Sequence, residues 1–130
     1  MSSDQFRTIS PPGGVPTTFG GCPLRTAVGV IGGRWKPLML HYLLQSPRGF
    51  GELSRELDGI ANKTLATQLR ELERHGLISR TVNNDSRRSV SYAPTADGVA
   101  MKPVITALVT WGNRRLDQAK RAQAEALATK

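Results

Sequence analysis

A chain of 130 residues with 38 % hydrophobic content can bury one modest core, so we expect a single domain. Its formal charge of +8 indicates a polyanionic partner, either nucleic acid or an acidic membrane surface. One cysteine excludes an internal disulfide framework, and the first ten residues lack the apolar run of a secretory signal. No segment approaches the roughly 18 apolar residues of a membrane-spanning helix, so we expect a cytoplasmic protein.

The chain divides into three parts by composition. Residues 1–21 contain SPPGGVPTTFGG, where proline and glycine dominate and hydrophobic periodicity is absent, which predicts a flexible arm. The patterned part follows at 22–116, and we expect a basic helical tail at 117–130.

Two helices open the patterned part. CPLRTAVGVI predicts the first, with Cys22 at its cap and Pro23 at its first position. Gly32 and Gly33 are expected to end it, since glycine tolerates the left-handed conformation that follows a helix. Pro37 then starts a second, largely apolar helix, KPLMLHYLLQS, which we expect to be central to the core.

The next two helices are joined by a glycine-containing turn. GELSREL predicts a short amphipathic helix, and DGI turns the chain. NKTLATQLRELERHG is the most regular segment, because Leu65, Leu69 and Leu72 recur on one helical face and Gly76 ends the pattern.

A hairpin and a long helix complete the chain. LISRTV and SVSYAP alternate or favour β-branched and aromatic residues, and NNDSRR between them predicts a polar, basic hairpin tip. Pro94 removes a ladder donor, so the second strand should be short or at an edge. Thr95 is expected to cap the last helical region, which Pro103 kinks or restarts. The fold class is therefore mainly α with a small β-hairpin (α+β).

The leucine stripe defines an opposite face on the fourth helix. At about 100° per residue, four hydrogen-bond donors lie there: Lys63, Thr67, Arg70 and Arg74. A helix in the major groove needs short polar side chains for base edges and long cations for phosphates. The predicted base contacts are Asn62, Lys63, Thr64, Thr67 and Gln68. The predicted phosphate contacts are Lys36, Arg70, Arg74, Arg80, Arg87 and Arg88.

Two alternatives accompany these assignments. The helix face could instead be a solvated surface with ion pairs among its own charges. Lys36 either touches phosphate from the start of the second helix or steers DNA without contact. Arginines at the hairpin tip favour the DNA interpretation, because a wing would cross a phosphate or a narrow minor groove there.

A helix-turn-helix followed at once by a hairpin is the layout of a winged helix-turn-helix. The sequence resembles the HxlR-type winged-helix transcriptional regulators, related in fold to the MarR group. The matching motifs are CP, IGGRWKPLML, GFGEL, GI followed by LATQLRELERHGLISRTV, the tyrosine of VSYAPT, the glycine of ADG, and ALVTWG.

The resemblance implies a cytoplasmic, nucleoid-associated homodimer that binds double-stranded operator DNA with an inverted repeat. The recognition helix 62–75 would lie in the major groove, and the wing 79–94 on the adjacent backbone or minor groove. The N- and C-terminal helices would form the dimer interface. Whether the protein also binds a small-molecule effector is left open by the sequence. The apolar residues of the last helix agree with this: Val104, Ile105, Leu108, Val109, Trp111 and Leu116.

The sequence departs from the family at the start of the recognition helix. The serine usual there is Ala61, so Asn62 is expected to cap the helix instead.

Cys22 has two interpretations. A helix N-terminus favours a thiolate, and several members of the resembled family sense oxidants or electrophiles through a matching cysteine, which makes Cys22 a candidate redox sensor. The alternative is a small cap residue packed at the dimer interface. With no second cysteine, a switch must be intermolecular or a mixed adduct.

Other classes of function find less support in the sequence. His41 and His75 have no Cys, Asp or Glu nearby at the spacing of metal ligands, and the sequence contains no catalytic constellation. We therefore expect no metal site, no cofactor and no enzymatic activity. The rival interpretation is a non-specific nucleoid-architectural or RNA-binding basic protein, because charge alone fits it equally well. The polar residues at the start of the recognition helix favour a sequence-specific regulator, and membrane binding ranks last.

Overall fold

The computed structural model describes residues 20–84, 86–87 and 89–129. These residues fall into two compact units that divide between Ala100 and Met101. Apart from Gly20 and Gly21, the predicted N-terminal arm lies outside the described residues.

The described residues of the first unit form five helices and three strands. They are α1 (Pro23–Ile31), α2 (Lys36–Leu43), β1 (Arg48–Gly49), α3 (Phe50–Glu56), α4 (Asn62–Arg74), β2 (Ile78–Val82), β3 (Val90–Pro94) and α5 (Ala96–Ala100). The second unit is one helix, α6 (Lys102–Ala128). Within the described residues, no helix has the length and apolar content needed to cross a membrane.

The paired glycines after α1 serve two different purposes. Gly32 caps the helix through its N–H, which donates to the Val28 carbonyl at 2.7 Å, and a Cβ on Gly32 would lie 2.3 Å from that oxygen. Gly33 has φ +101°, the left-handed conformation that glycine adopts at no steric cost. The predicted helix stop is confirmed, although only Gly33 is left-handed.

Helix α4 ends in a Schellman motif. Gly76 has φ +78°, its N–H donates to the Glu73 carbonyl, and the N–H of Leu77 donates to the Leu72 carbonyl at 3.0 Å. Leu77 is buried, so the turn that leaves α4 is fixed against the core before β2 begins.

The start of α4 differs from the prediction. Ala61 is the N-cap residue, with extended backbone and no side-chain cap, and Asn62 is the first residue inside the helix. The expectation that Asn62 caps the helix is therefore wrong. Its side-chain Oδ1 instead accepts a hydrogen bond from Ser54 Oγ of α3 at 3.3 Å.

The sheet contains a strand that the sequence analysis missed. The order is β1–β3–β2 and both pairings are antiparallel, so β3 is central rather than at an edge. Strand β1 pairs only Arg48 with Tyr92 and Gly49 with Ser91. Pro94 is tolerated because it is the last residue of β3, beyond the reach of β1.

The core of the first unit is aliphatic. Its most deeply buried side chains come from α2, α3 and its C-cap, α4 and β2: Met39, Leu40, Leu43, Leu53, Leu57, Leu65, Leu69, Leu72 and Ile78. This confirms the central place predicted for the second helix and for the leucine stripe of the fourth.

Thr95 joins the wing to the last helical region as predicted. Its hydroxyl accepts from the Gly98 N–H at 3.1 Å and donates to the Gly76 carbonyl at 2.5 Å. Pro103 lies in the first turn of α6, where its missing N–H is harmless, so it restarts the helix rather than kinking it. Helix α6 runs unbroken through the predicted tail to Ala128.

Candidate nucleic-acid interface

The two faces of α4 are fully separated. Leu65, Leu69 and Leu72 are at most 2 % exposed, which fixes the helix by its apolar side. On the opposite side Lys63, Arg70 and Arg74 are exposed, and Thr67 is half-buried. The face that the periodicity predicted therefore stands outward, with three cations and no acidic residue among its four members.

The polar residues near the start of α4 are accessible to different degrees. Asn62 and Lys63 are exposed, whereas Thr64 and Gln68 are half-buried. The bond from Ser54 to the Asn62 oxygen leaves the amide N–H groups of Asn62 as donors. The hydroxyl of Thr67 donates to the Lys63 carbonyl at 3.0 Å, so its oxygen remains an acceptor for a base amine.

Lys36 is not placed as a phosphate contact. Its Nζ lies 2.5 Å from Oε1 of Glu71 on α4, and the lysine is buried while the glutamate is half-buried. A buried ammonium that already has a carboxylate partner is unavailable to a phosphate, so this assignment is corrected. The pair instead connects the start of α2 to the last turn of α4.

The wing arginines lie at its stem and tip. Arg80 on β2 and Arg87 at the tip are exposed, whereas Arg88 lies outside the described residues. The stem closes through Asn83, whose N–H donates to the Ser89 carbonyl at 2.7 Å and whose side chain donates to Ser89 Oγ at 3.0 Å.

The role of Arg48 is evident only from the structure. This arginine of β1 forms an ion pair with Glu56 of α3 and lies over the Tyr42 ring of α2, 5.9 Å from its centroid. It thereby joins the wing sheet to two helices of the core. No periodic signal marks such a contact, since the partners lie six and eight residues away on separate elements.

A sequence model of the HxlR-like helix-turn-helix family matches residues 30–120. The chain belongs to this family. The uncharacterized HTH-type transcriptional regulator YdeP of Bacillus subtilis (strain 168) is 36 % identical over 106 residues, which cover 82 % of this chain and 83 % of YdeP.

Solved structures with the same fold include two regulators described by their redox state or ligand. The redox regulator HypR in its oxidized form superposes with a TM-score of 0.69 at 31 % identity, over 72 % of this chain and 96 % of HypR. Quinone-bound YodB from B. subtilis superposes with a TM-score of 0.62 at 31 % identity, over 72 % of this chain and 98 % of YodB. The predicted winged helix-turn-helix is confirmed: α3 and α4 form the helix-turn-helix, and β2 with β3 forms the wing.

The long helix of this HxlR-like regulator has an apolar surface. Five of the six residues predicted for the dimer interface are 42–61 % exposed: Val104, Leu108, Val109, Trp111 and Leu116. A shallow, wide-open groove of about 640 Å³ lies on one face of α6, lined by Pro103, Val104, Ala107, Leu108 and Trp111. Ile105 differs, because it is only 5 % exposed and so contributes no surface to a partner.

Cys22 of the HxlR-like regulator is a free, exposed thiol at the N-cap of α1. The family match begins C-terminal to it, at residue 30. Its accessibility meets the first requirement for reaction with an oxidant or electrophile.

Proposed function

We propose that this HxlR-like regulator binds double-stranded DNA sequence-specifically as a homodimer, with α4 in the major groove. The observation that carries the proposal is the outward face of α4: Lys63, Thr67, Arg70 and Arg74. A buried leucine stripe holds this face away from the core, and a formal charge of +8 draws the protein to a polyanion.

The proposed DNA-contacting side chains form two groups, which differ in length and in the part of the duplex they contact. Asn62, Lys63, Thr64, Thr67 and Gln68 are proposed to read base edges from the first two turns of α4. Arg70, Arg74, Arg80, Arg87 and Arg88 are proposed to hold phosphates, with the wing on the adjacent backbone or minor groove. Lys36 leaves this set, because its partner is Glu71.

The proposed dimer rests on exposed apolar surface. Clustered exposed apolar side chains mark protein–protein contact sites, and α6 carries such a cluster along its groove. Helix α1 separately exposes Leu24 and Val28. A two-fold pair would present two copies of α4 to half-sites about 34 Å apart, so the operator would be an inverted repeat. Such a protein acts on the nucleoid in the cytoplasm and needs no catalytic activity.

The decisive experiment is selection of bound fragments. The purified, reduced protein is mixed with sheared DNA from its own genome at near-physiological salt, and the recovered fragments are sequenced. A few sharp peaks that share an inverted repeat support the proposal. Even coverage of the genome would contradict sequence specificity and favour an architectural protein, and recovery of no DNA would contradict the proposal itself.

The division of roles has its own test. Gln68→Ala should reduce the difference in binding free energy between operator and random duplex by about 1–3 kcal/mol, because one base contact is lost. Arg70→Gln should weaken both duplexes alike. Arg121→Gln, an exposed arginine on α6, serves as the charge-matched control. If Gln68→Ala and Arg70→Gln changed the affinity ratio equally, the assignment of base and phosphate contacts would be wrong.

A second proposal concerns the exposed thiol. Cys22 is proposed to sense oxidants or electrophiles, supported by its exposure and by similarity to HypR and to quinone-bound YodB. Because the chain has one cysteine, oxidation by diamide would join two Cys22 thiols from two protomers, and diamide would take up both hydrogens. The alternative product is an adduct on each thiol.

The thiol proposal is tested by comparing the native chain with Cys22→Ser. Non-reducing electrophoresis and operator affinity are measured before and after diamide or a quinone. We expect the native chain to form a linked dimer or an adduct and to change its affinity, and the variant to do neither. An equal change of affinity in both chains would rule the sensor out.

A further inference from the structure

A cleft of about 390 Å³ separates α4 from the wing sheet. Its apolar walls are Phe50 from the start of α3, Ala66 and Leu69 from α4, and Tyr92 from β3. The volume falls in the range of roughly 300–1,000 Å³ that small-molecule sites occupy. The cleft belongs entirely to the first unit and is separate from the groove along α6.

The local structure explains why charged side chains meet at this cleft. Ala66, Leu69, Arg70 and Glu73 are spaced three and four residues apart, so they lie along the flank of α4 between its leucine stripe and its outward face. Arg80 is the direct cross-strand partner of Tyr92, so both side chains project from the same side of the sheet. Arg70 and Glu73 therefore stand on one wall, and Arg80 stands on the other.

The charges of this cleft have no partner in the part of the chain that the structure describes. There, Arg70, Glu73 and Arg80 form no salt bridge or hydrogen bond with any side chain. Arg70 and Arg80 are exposed, whereas Glu73 is half-buried. The cleft thus offers two guanidinium groups and one carboxylate beside two aromatic residues and two aliphatic ones.

We propose that this cleft binds a small zwitterion with an apolar side chain, such as an aromatic or branched amino acid. Its carboxylate would lie between Arg70 and Arg80, its ammonium on Glu73, and its side chain against Phe50 and Tyr92. Guanidinium groups match a carboxylate in geometry as well as charge. A simple anion would leave Glu73 repelled and unpaired, and a simple amine would face two arginines.

Occupancy of the cleft would regulate DNA binding. This step rests on the proposed function, in which Arg70 and Arg80 contact phosphates. A ligand carboxylate that engages both arginines removes two phosphate contacts, so ligand and duplex would compete. Linkage makes the competition reciprocal, and saturating duplex should weaken the ligand by the same factor.

The binding step is tested without DNA, by calorimetric titration of the full chain. The probes are L-phenylalanine and L-leucine, compared with 3-phenylpropionate, which lacks the ammonium, and phenethylamine, which lacks the carboxylate. We expect either amino acid to bind at least about tenfold more tightly than both analogues, since each loses one charge-assisted pair. Equal binding of 3-phenylpropionate and L-phenylalanine, or no binding of either amino acid, would overturn the proposal.

A matched pair of variants locates the site. Glu73→Gln keeps the shape of the side chain and removes its charge, so it should abolish the preference for L-phenylalanine over 3-phenylpropionate. Glu125→Gln makes the same change at an exposed position on α6 and should keep the preference. Circular dichroism verifies that both variants are folded. Retention of the preference by folded Glu73→Gln would contradict this site.

The regulatory step is measured by fluorescence anisotropy of a labelled operator duplex. We expect saturating amino acid to raise the Kd for the duplex about tenfold or more, because two phosphate contacts are lost. Ligand binding without any change in duplex affinity would overturn the regulatory step. Failure to bind any duplex in the absence of ligand would instead contradict the proposed function, and the calorimetric result would still decide the cleft.

Discussion

Helices α4 and α6 are both amphipathic, but their apolar residues meet different surroundings. The leucines of α4 are at most 2 % exposed, whereas the apolar residues of α6 that line or flank its groove are 42–61 % exposed. The apolar face of helix α4 is therefore covered by other residues of the same chain, and its opposite face presents charges to solvent. Helix α6 presents apolar surface, which is stabilised only when a partner covers it.

The largest expected effect comes from breaking the buried stripe. Leu72→Ala should lower the free energy of unfolding by about 2–5 kcal/mol, because a fully buried side chain leaves a cavity. Leu127→Ala, at a residue 67 % exposed on α6, should change it by less than about 0.5 kcal/mol. Urea unfolding measures both, and similar losses would contradict the contrast between the two helices.

The next largest effect is expected from a variant that tests whether the groove on α6 is the dimer interface. Leu108→Glu should weaken the proposed dimer on the order of 100-fold, since a charge would be buried without a partner in the interface. Asn113→Glu adds the same charge at an exposed polar position of α6 and should leave the dimer intact. Sedimentation velocity over a range of protein concentrations separates monomer from dimer. A dimer unaffected by Leu108→Glu would place the interface elsewhere.

A smaller effect is expected from breaking the ion pair between Lys36 of α2 and Glu71 of α4. Lys36→Met should destabilise the fold by about 1–3 kcal/mol, because it leaves the half-buried Glu71 carboxylate without its partner. Lys36→Met with Glu71→Met should recover most of the loss, since two apolar side chains replace the pair. Urea unfolding of all four chains completes the cycle. Additive losses in the double variant would show that the two side chains do not interact.

The smallest expected effect comes from removing one proposed phosphate contact on the outward face of α4. Arg74→Gln should weaken every duplex and lower the slope of log affinity against log salt concentration by about one unit, the signature of one lost phosphate contact. Affinity is measured by titration at several salt concentrations, with Arg121→Gln as the control. An unchanged slope would remove Arg74 from the phosphate-contacting set.

Repeating patterns made most of the fold predictable from sequence. The leucine spacing of 65, 69 and 72 fixed the orientation of α4, and Pro23, Gly33 and Gly76 marked helix ends by well-understood backbone preferences. The outward face follows from the same spacing, so its residues could be named in advance.

Contacts that depend on tertiary structure were not predictable in this way. Strand β1 has two residues and no pattern of its own, so it exists only because β3 pairs with it. Lys36 resembled a phosphate ligand because its partner, Glu71, is distant in sequence. The cleft beside α4 depends on the alignment of Arg80 with Tyr92, which is set by strand register.

The short reach of β1 divides the wing into two mechanical parts. Near Ser91 and Tyr92 the ladder has three strands, but at Val82 and Val90 only two strands remain. A two-stranded ribbon is marginally stable alone, so the backbone amides of Val82 and Val90 should exchange with deuterium faster than those of Ser91 and Tyr92. The three-stranded part of the wing would then hold its position on DNA while the two-stranded pair adjusts to grooves of different width.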